Sequence, residues 1–466
     1  MTHGRTAARV CGTGGHVSTR VRLREGRMIT SDTAPGTVVR CDSSETMYLA
    51  RYVSVAFFFE RTLDTLRLAD GLRGALALVP AFAGRLRAGD GGLEIVCSDA
   101  GVPLSVLDVD ATLDEARTDV TRPDSMLIDR VDVRTGSLAE RPLLTVRVCR
   151  TTDGGATLGC SWNHAVGDMS SFMQFVRAWA ALVGGAAPPE IRVLDDRMAY
   201  LDQVLPDEGI AQPGCEPLDR DAMAGRGPEL PPALPDNAAV QLYFGADEVL
   251  RMRKSFGEAA SRRVSVNDAI CAHLVATLRD SEAEPTSWNL SVSVDLRHHL
   301  GLPRSVIGNL VQSLYVPCPQ TGAGELSGHI RAGLDDFIRS HQCLRADRAF
   351  IGPVGRSRFH HCAPVPFDPG HRTFILTNWT RMGVYDVEFE GQRPTFFSPI
   401  VSSHAPFTWF AMVAEGPWNE GFLVTAVLPA KAAEQLRSPE GRAALHRFAA
   451  TDDPCSWGPH RQVTHG

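Results

Sequence analysis

The chain has 466 residues, of which 44% are hydrophobic and 22% are charged, and its formal net charge is -7 at pH 7. This composition is ordinary for a globular protein, and the length is sufficient for two or three domains with sizeable cores. The negative charge gives no reason to expect nucleic acid or an acidic membrane as a partner, and no apolar run approaches the roughly 18 residues that span a bilayer.

The cysteines and the amino-terminal arginines indicate the cellular compartment in which the protein is expected. Eleven cysteines are scattered without a Cys-x-x-Cys pair, which predicts reduced thiols in a cytoplasmic protein rather than a disulfide framework. Residues 1–36 are rich in arginine and poor in acids, and we expect them to form a disordered basic lead. An organellar transit segment would have a similar composition, so that alternative stays open.

Residues 37–204 are predicted to form an amino-terminal α/β domain. The apolar run at 53–59 predicts a strand, and leucines spaced through 63–76 predict a helix after it. Residues 156–162 predict a second, buried strand, and residues 170–183 have helical apolar spacing that ends before two glycines.

His164 lies on the predicted turn between that strand and that helix, and Asp168 follows four residues later. A side chain on such a turn can be held rigidly and still meet a ligand, and histidine is the natural general base near neutral pH. A carboxylate at the helix start favours the free amide donors there. With 15 histidines in the chain, however, about one His-x-x-x-Asp is expected by accident, so a helix-capping aspartate after an unrelated histidine is an equal reading of these residues alone.

The chain divides near its middle. Residues 205–237 hold seven prolines with scattered glycine and acid, and they predict an exposed linker. Residues 238–466 are predicted to form a carboxy-terminal domain, because Val240, Leu242 and Phe244 alternate as in a strand and a helical pattern begins near Asp247.

Other catalytic signatures are absent from the sequence. It contains no Gly-x-Ser-x-Gly, no phosphate-binding Gly-x-x-x-x-Gly-Lys, no Gly-x-Gly-x-x-Gly and no His-Glu-x-x-His. The pairs His298-His299 and His360-His361 suggest metal ligands, but adjacent residues point to opposite sides of a strand. No carboxylate or thiol set completes either site, so no metal site is predicted.

Several segments in this order resemble the BAHD acyl-CoA-dependent acyltransferases. Residues 163–168, Asn-His-Ala-Val-Gly-Asp, are similar to the His-x-x-x-Asp-Gly signature of that family. Further similar segments run from about residue 50 to residue 435: Pro-Ala-Phe-Ala-Gly-Arg-Leu at 80–86, the helix at 266–274, Val-Asp-Leu-Arg at 294–297 followed by Gly-Asn at 308–309, and Leu-Thr-Asn-Trp-Thr-Arg at 376–381.

Two departures from the family pattern stand out. Met169 replaces the glycine that usually follows the motif aspartate, which could alter the turn or narrow a substrate channel. Residues 388–394, Glu-Phe-Glu-Gly-Gln-Arg-Pro, stand where the family has Asp-Phe-Gly-Trp-Gly-Lys-Pro. That second motif is structural in the family, so its erosion puts CoA binding and stability in doubt more than the reaction.

The resemblance implies an α/β fold with two related CoA-dependent-acyltransferase-type sandwich domains, each a mixed sheet with flanking helices, and an active-site channel at their interface. It implies a monomeric acyltransferase of secondary metabolism that uses acyl-CoA as co-substrate, has no tightly bound cofactor, and acylates a hydroxyl or amine of a small molecule.

The same resemblance assigns roles to residues. His164 would be the general base, and Thr377 would stabilise the oxyanion, although an ordinary strand with a packed tryptophan explains Thr377 and Trp379 equally well. Asp168 would pair with Arg297 as a structural element of the site. Trp379 would line the substrate channel. Asn309 would contact substrate in the channel region, although a turn before the next strand explains Gly308 and Asn309 equally well. Met169, which departs from the family pattern, is expected to contact substrate because it lies close to His164 in the sequence.

Two rival functions remain open. Condensation domains of nonribosomal peptide assembly use the same His-x-x-x-Asp chemistry on a carrier-bound thioester, but they usually begin the motif with His-His, and Asn163 occupies the first of those positions. A catalytically inactive relative that only binds a small molecule would explain Met169 and the eroded second motif.

Overall fold

The computed structural model describes residues 20–32, 36–49, 51–89, 92–133, 137–205, 236–282, 287–340, 372–405 and 407–450. These residues form two six-stranded mixed sheets, two small accessory sheets and the helices that flank them. None of the helices in the described ranges is long and apolar enough to cross a membrane.

The first half of the chain supplies five strands of the first sheet, four strands of the small sheets and four helices. The elements of this half are β1 (Val21–Ile29), β2 (Val38–Arg40), β3 (Tyr52–Phe59), α1 (Thr65–Leu78), β4 (Arg85–Gly89), β5 (Gly92–Val96), β6 (Val102–Val109), α2 (Leu113–Thr118), β7 (Leu144–Arg150), β8 (Ala156–Asn163), α3 (Met169–Val183), β9 (Arg192–Val193) and α4 (Arg197–Val204).

The second half builds the second sheet and its own helices. Its elements are β10 (Asn237–Phe244), α5 (Ala246–Ala259), α6 (Val266–Asp280), β11 (Trp288–Asp295), α7 (Leu296–His299), β12 (Val306–Ile307), β13 (Val311–Cys318), α8 (Ala323–Ser340), β14 (Arg372–Asn378), β15 (Phe396–Pro399), β16 (Phe410–Glu415), β17 (Phe422–Pro429), α9 (Ala430–Arg437) and α10 (Pro439–Leu445).

The first sheet has the order β1-β6-β7-β8-β3-β15, and the second has the order β10-β17-β16-β14-β11-β13. Most neighbours are antiparallel, but β6 with β7, β11 with β14, and β14 with β16 are parallel, so both sheets are mixed. The predicted α/β class with two mixed-sheet domains and flanking helices is therefore confirmed.

The strand that precedes His164, β8, is buried on both faces. All eight residues of β8 are buried, which matches the continuous apolar run that predicted this strand. The predicted helix after it is α3, whose apolar stripe packs against α1. The predicted strand at 53–59 and the predicted strand and helix after residue 238 are also present, as β3, β10 and α5.

One strand from the second half completes the first sheet. β15 pairs antiparallel with β3, with Phe396 opposite Phe58 and Phe397 opposite Phe57. The boundary predicted at 205–237 therefore separates the two halves in sequence but does not keep the two sheets separate in space. Residues 206–235 of the predicted linker lie outside the described residues, as do 451–466.

The prediction of a disordered lead through residue 36 was wrong over part of its length. Residues 1–19 lie outside the described range, but β1 pairs antiparallel with β6 at the edge of the first sheet. Seven of its nine residues are exposed, including Leu23 and Met28, so the strand is held by main-chain hydrogen bonds rather than by burial. Without an apolar face, it left no periodic signal in the sequence.

Candidate active site

The turn between β8 and α3 is fixed on both sides by hydrogen bonds. The amide nitrogen of Asn163 donates to Leu49 O at 3.1 Å, and its side-chain oxygen accepts from Ala165 N at 2.9 Å. Trp162 donates its indole N–H to Gly167 O at 2.9 Å. His164 sits at the centre of this turn with its side chain partly exposed, which places a rigid imidazole at the surface of a buried scaffold.

Asp168 ties this turn to the second half of the chain. Arg297 donates from Nη1 to Asp168 Oδ2 at 2.8 Å and from Nη2 to Oδ1 at 3.2 Å, and both side chains are buried. The same carboxylate accepts from Ser171 N at 2.9 Å as the cap of α3, and from Leu310 N at 2.9 Å. The residue pattern predicted the cap and the family resemblance implied the pairing, and the structure contains both contacts.

Burial acts to raise the pKa of Asp168, but the Arg297 guanidinium and the amide donors outweigh it and hold that pKa below its usual value. The carboxylate therefore stays ionised and turned toward Arg297 and the amides of Ser171 and Leu310. Both oxygens of the carboxylate accept hydrogen bonds from within the protein, which gives Asp168 a structural role.

Hydrogen bonds between Ser171 and Gly308 also join the two halves. The Ser171 hydroxyl donates to Gly308 O at 2.8 Å and accepts from Gly308 N at 3.0 Å and from Arg297 Nη2 at 2.9 Å. Gly308 has φ +152, a conformation that favours glycine. A Cβ added at Gly167 would lie 2.6 Å from the Ser171 Cβ, so this position also requires glycine.

The imidazole of His164 is held by Asn309. Its Nδ1 lies 2.9 Å from Asn309 Oδ1, while Asn309 Nδ2 donates to the His164 carbonyl at 2.9 Å and to Glu45 Oε1 at 2.8 Å. A carboxylate and a carbonyl can only accept, so the amide nitrogen of Asn309 must face them and its oxygen must face the ring. Nδ1 therefore carries the proton and Nε2 is left with a free lone pair, which is the tautomer that a general base needs.

Tyr48 covers one face of that imidazole. The two rings are stacked, with centroids 4.1 Å apart and planes inclined by 14°. Burial lowers the pKa of His164 below its usual value of 6.5, so the ring is neutral at physiological pH. Burial also raises the pKa of Tyr48 to about 12, so its hydroxyl stays protonated at physiological pH.

Glu45 and Arg197 belong to the site but were missed from the sequence. Arg197 donates to Glu45 Oε1 at 2.7 Å and to the main-chain carbonyls of Ala165 and Val166 at 2.8 and 2.7 Å. Glu45 stands three residues after Asp42 and accepts from the Asp42 amide at 2.8 Å, so its sequence signal is that of a local cap. Nothing in that spacing indicates a second partner 264 residues away.

The structure bears on two of the predicted substrate contacts. Asn309 hydrogen-bonds His164 through its side-chain oxygen, and it donates both amide hydrogens to Glu45 and the His164 carbonyl, so only the second lone pair of that oxygen is left for a substrate. Met169 is the first residue of α3 and is buried in the core of the first half. Its side chain therefore contributes to the apolar core.

Thr377 and Trp379 lie at the end of β14 and just after it. Thr377 is partly exposed, whereas Trp379 is buried in a core cluster that contains residues of both halves and donates its main-chain N–H to Val413 O at 2.7 Å. Trp379 therefore has a packing role at the contact between the two halves. His298 and His299 lie in α7, and His360 and His361 fall outside the described residues. Within the described ranges, no three histidine, cysteine, aspartate or glutamate side chains are grouped as a metal would require.

The eroded second motif keeps a packing role. Phe389 is fully buried and meets Phe59 and Trp179 edge to face, at centroid distances of 6.0 and 5.3 Å. Glu390 accepts from Asp64 N at 2.9 Å. This segment of the second half therefore docks on the first half, although most of the family's glycines and its tryptophan are missing.

Comparisons with known proteins agree with this geometry. The model of a family described as the Transferase family matches residues 41–440. Rosmarinate synthase from Plectranthus scutellarioides is 22% identical over 433 residues, which cover 88% of this chain and 96% of that protein. Hydroxycinnamoyl-CoA:5-hydroxyanthranilate N-hydroxycinnamoyltransferase HHT4 from Avena sativa is 29% identical over 370 residues, which cover 71% of this chain and 77% of that protein.

A solved structure has the same fold. TRI101 of F. graminearum, complexed with ethyl coenzyme A, superposes with a TM-score of 0.69 at 15% identity, covering 87% of this chain and 98% of that one. The family match and the acyltransferase relatives show that this chain, with its two mixed α/β halves, is an acyl-transferring enzyme. The chain belongs to the Transferase family, that of the BAHD acyltransferases.

Proposed function

We propose that this enzyme transfers an acyl group from acyl-CoA directly to a hydroxyl or amine of a small molecule, with His164 as the general base. The observation on which the proposal rests is the tautomer of the His164 imidazole. Asn309 engages Nδ1, which leaves the Nε2 lone pair free on a partly exposed ring. General-base catalysis of this kind typically contributes 10²–10⁴-fold to the rate.

In the proposed reaction, Nε2 of His164 takes the proton of the acceptor as its oxygen or nitrogen attacks the thioester carbonyl. The tetrahedral intermediate collapses with release of the CoA thiolate, and His164 returns the proton to that sulfur. No acyl-enzyme is needed, because both substrates are present together. The lowered pKa of His164 keeps the ring neutral and ready to accept a proton at physiological pH.

The developing oxyanion needs a hydrogen-bond donor that is already in place, and such a donor is commonly worth about 3–4 kcal/mol. We assign this role to the hydroxyl of Thr377, which is partly exposed at the end of β14. Its position on a central strand supports the assignment, since strand residues are held more rigidly than loop residues.

The names of the relatives describe more than one class of acceptor. The name of the oat relative describes a CoA thioester donor and an amine acceptor. The name of a relative from Salvia splendens, 26% identical over 368 residues, describes a malonyltransferase acting on a glycosylated pelargonidin. We therefore propose that the free CoA thioester is the donor, rather than a carrier-bound thioester, and that either nucleophile is possible.

We also propose that the enzyme acts as a cytoplasmic monomer without a tightly bound cofactor. His164 and Asn309 come from the two halves of one chain, so a single copy supplies both sides of the site. The six cysteines that the structure describes are all free and buried, which fits a reducing compartment. Light scattering on the purified protein tests the monomer.

The test of the function is thiol release from acyl-CoA. Purified protein is incubated with acetyl-CoA and longer acyl-CoAs, with and without a panel of alcohols and amines, and free thiol is measured. We expect acceptor-dependent release by the wild type and a loss of at least 100-fold in folded His164→Ala. Equal turnover in His164→Ala would overturn the mechanism, and no release with any donor despite binding of an acceptor would identify an inactive relative.

A further inference from the structure

Glu45 makes a set of contacts that a cap residue alone does not need. It lies in the 3-10 turn Ser43–Tyr48 and is 1% exposed. Its Oε2 accepts from the Asp42 amide, whereas its Oε1 accepts from Arg197 Nη1 at 2.7 Å and from Asn309 Nδ2 at 2.8 Å. Both oxygens are therefore acceptors, and one of them faces the residue that holds the imidazole.

We propose that Glu45 is a positioning residue for the reaction: it fixes the orientation of the Asn309 amide, and through it the tautomer of His164. The proposal rests on the proposed role of His164 as the base. Asn309 can present either its oxygen or its nitrogen to Nδ1 of the ring. Only the first choice gives the Nδ1–H tautomer and a free lone pair on Nε2.

The choice between the two orientations is made by the partners of Nδ2. If the Asn309 amide were flipped, its oxygen would face the Glu45 carboxylate and the His164 carbonyl, both of which lie within 2.9 Å of the present nitrogen. Three acceptors would then face one another in a buried site, and Nδ1 would meet a donor. Leaving buried polar groups unpaired in this way is costly, so the carboxylate selects the observed orientation.

Arg197 in turn holds Glu45 in place. It is 2% exposed and spans from Glu45 to the carbonyls of Ala165 and Val166, the two residues after His164. The guanidinium therefore links the carboxylate to the backbone of the motif turn. The chain of contacts is Arg197 to Glu45 to Asn309 to His164, and only the last of these meets substrate.

Glutamine at position 45 is the sharpest test, because it keeps the shape of glutamate but accepts at only one end. If its oxygen faces Asn309 and Arg197, its nitrogen opposes the Asp42 amide. If its nitrogen faces Asn309, the Asn309 amide is driven to flip and to present a donor to Nδ1. The first arrangement keeps the Asn309 orientation with a weaker, neutral acceptor and opposes two N–H donors at Asp42, and the second removes the support of the observed tautomer.

We expect Glu45→Gln to lower kcat at least tenfold with little change in KM, since the substrate contacts are untouched. Loss of the correct histidine tautomer in a serine protease triad costs about 10⁴-fold, which sets the upper limit. In ¹⁵N-histidine spectra, the His164 signal, assigned by its absence in His164→Ala, should show Nδ1–H in the wild type and a shift toward Nε2–H in Glu45→Gln.

Glu248→Gln is the matched control. Glu248 is also a buried glutamate, 4% exposed, but its partner is His446, and it has no contact with His164, Asn309 or Arg197. This variant should lose stability without a change in kcat or in the His164 spectrum. A double-mutant cycle adds a second control: in an Asn309→Ala background, Glu45→Gln should lower kcat no further.

The outcomes separate this proposal from the proposed function. Wild-type kcat and an unshifted Nδ1–H signal in folded Glu45→Gln, with His164→Ala inactive, would overturn the role of Glu45 alone. An active His164→Ala would overturn the proposed function. Should Glu45→Gln fail to fold, Asn309→Ala tests the same relay, and a folded Asn309→Ala with wild-type kcat and an unchanged tautomer would refute it.

Discussion

Asp168 and Arg297, which are 129 residues apart in the chain, form a two-point ion pair that joins the two halves of the molecule. Both side chains are almost fully buried, at 4% and 1% exposure. A buried pair of this kind adds little net stability over an apolar pair, but removing one partner leaves an uncompensated charge in the interior. The pair therefore acts mainly to fix the geometry of the site.

Replacement of Asp168 by alanine should show how far the stability and the activity depend on this ion pair. We expect Asp168→Ala to lower the free energy of unfolding by about 3 kcal/mol, because the buried Arg297 loses its two-point partner and keeps Asp295, 3.2 Å from its Nη1, as a counter-charge. Activity should fall with it, since the helix cap of α3 and the contact with Leu310 are lost as well. Urea denaturation and thiol release measure the two effects.

The control for Asp168→Ala is an exposed ion pair. Arg87 and Glu94 are 2.7 Å apart, with side-chain exposures of 54% and 18%. Arg87→Ala should change the unfolding free energy by no more than about 1 kcal/mol. Equal unfolding free energies for Asp168→Ala and the wild type would contradict the structural role of the pair.

The same carboxylate predicts a loss of stability in acid. The pKa of Asp168 is lowered in the folded state by Arg297 and the amide donors, so protonation is easier after unfolding. Its contribution to stability is therefore complete above the unfolded value near 3.8 and is lost as the pH falls through the folded value. The wild type should lose more stability than Asp168→Asn between pH 5 and pH 2, as measured by urea titration at each pH. If the unfolding free energies of the two proteins fell in parallel with pH, Asp168 would not be a source of the acid sensitivity.

With His164 as the proposed base, its pKa should set the acidic limb of the pH–activity profile. Burial lowers this pKa below 6.5, and a general base works only in its neutral form, so activity should persist to lower pH than a free imidazole allows. We expect kcat/KM to rise with pH and to reach half of its plateau below pH 6.5. A midpoint at or above 6.5, in buffers where the protein stays folded, would contradict the assignment of His164 as the base.

The sequence predicted the part of the site that is local and missed the part that is long-range. The strand before His164 and the helix after it were predicted to within a residue or two, since a buried strand and an amphipathic helix each leave a periodic apolar signal. Asp168 as the cap of α3 follows from the same pattern. The family resemblance added Arg297, which no spacing in the sequence would have paired with Asp168.

Glu45, Tyr48 and Arg197 could not be found in this way. Glu45 and Tyr48 lie in a short polar turn without periodicity, and their partners are more than 100 residues away. Asn309 was expected to bind substrate, but only the side chains around it show that its amide is already committed. β1 was missed for a related reason, because a strand exposed on both faces is specified by its neighbour rather than by its own sequence.

The stack of Tyr48 on His164 makes a prediction about ring orientation. We expect Tyr48→Leu to lower kcat about two- to tenfold, since a stacked aromatic pair is worth about 0.5–1.5 kcal/mol and the imidazole would gain freedom to turn. Tyr48→Phe keeps the ring and removes only the hydroxyl, which is protonated in the wild type, so it should retain most of the activity. Steady-state kinetics compares the variants, and equal kcat values for Tyr48→Leu and Tyr48→Phe would exclude a role for the stack.

Gly167 tests how tightly the motif turn is packed. A Cβ at this position would lie 2.6 Å from Cβ and 3.0 Å from Oγ of Ser171, the residue whose hydroxyl joins Gly308 to Arg297. Gly167→Ala should therefore destabilise the protein by about 1–3 kcal/mol, a typical cost of overpacking, and should lower activity because Ser171 must move. Gly322→Ala is the control, since a Cβ there meets no atom within 4 Å. Thermal denaturation should separate the two variants, and a Gly167→Ala protein as stable as Gly322→Ala would show that the turn can relax around the added methyl group.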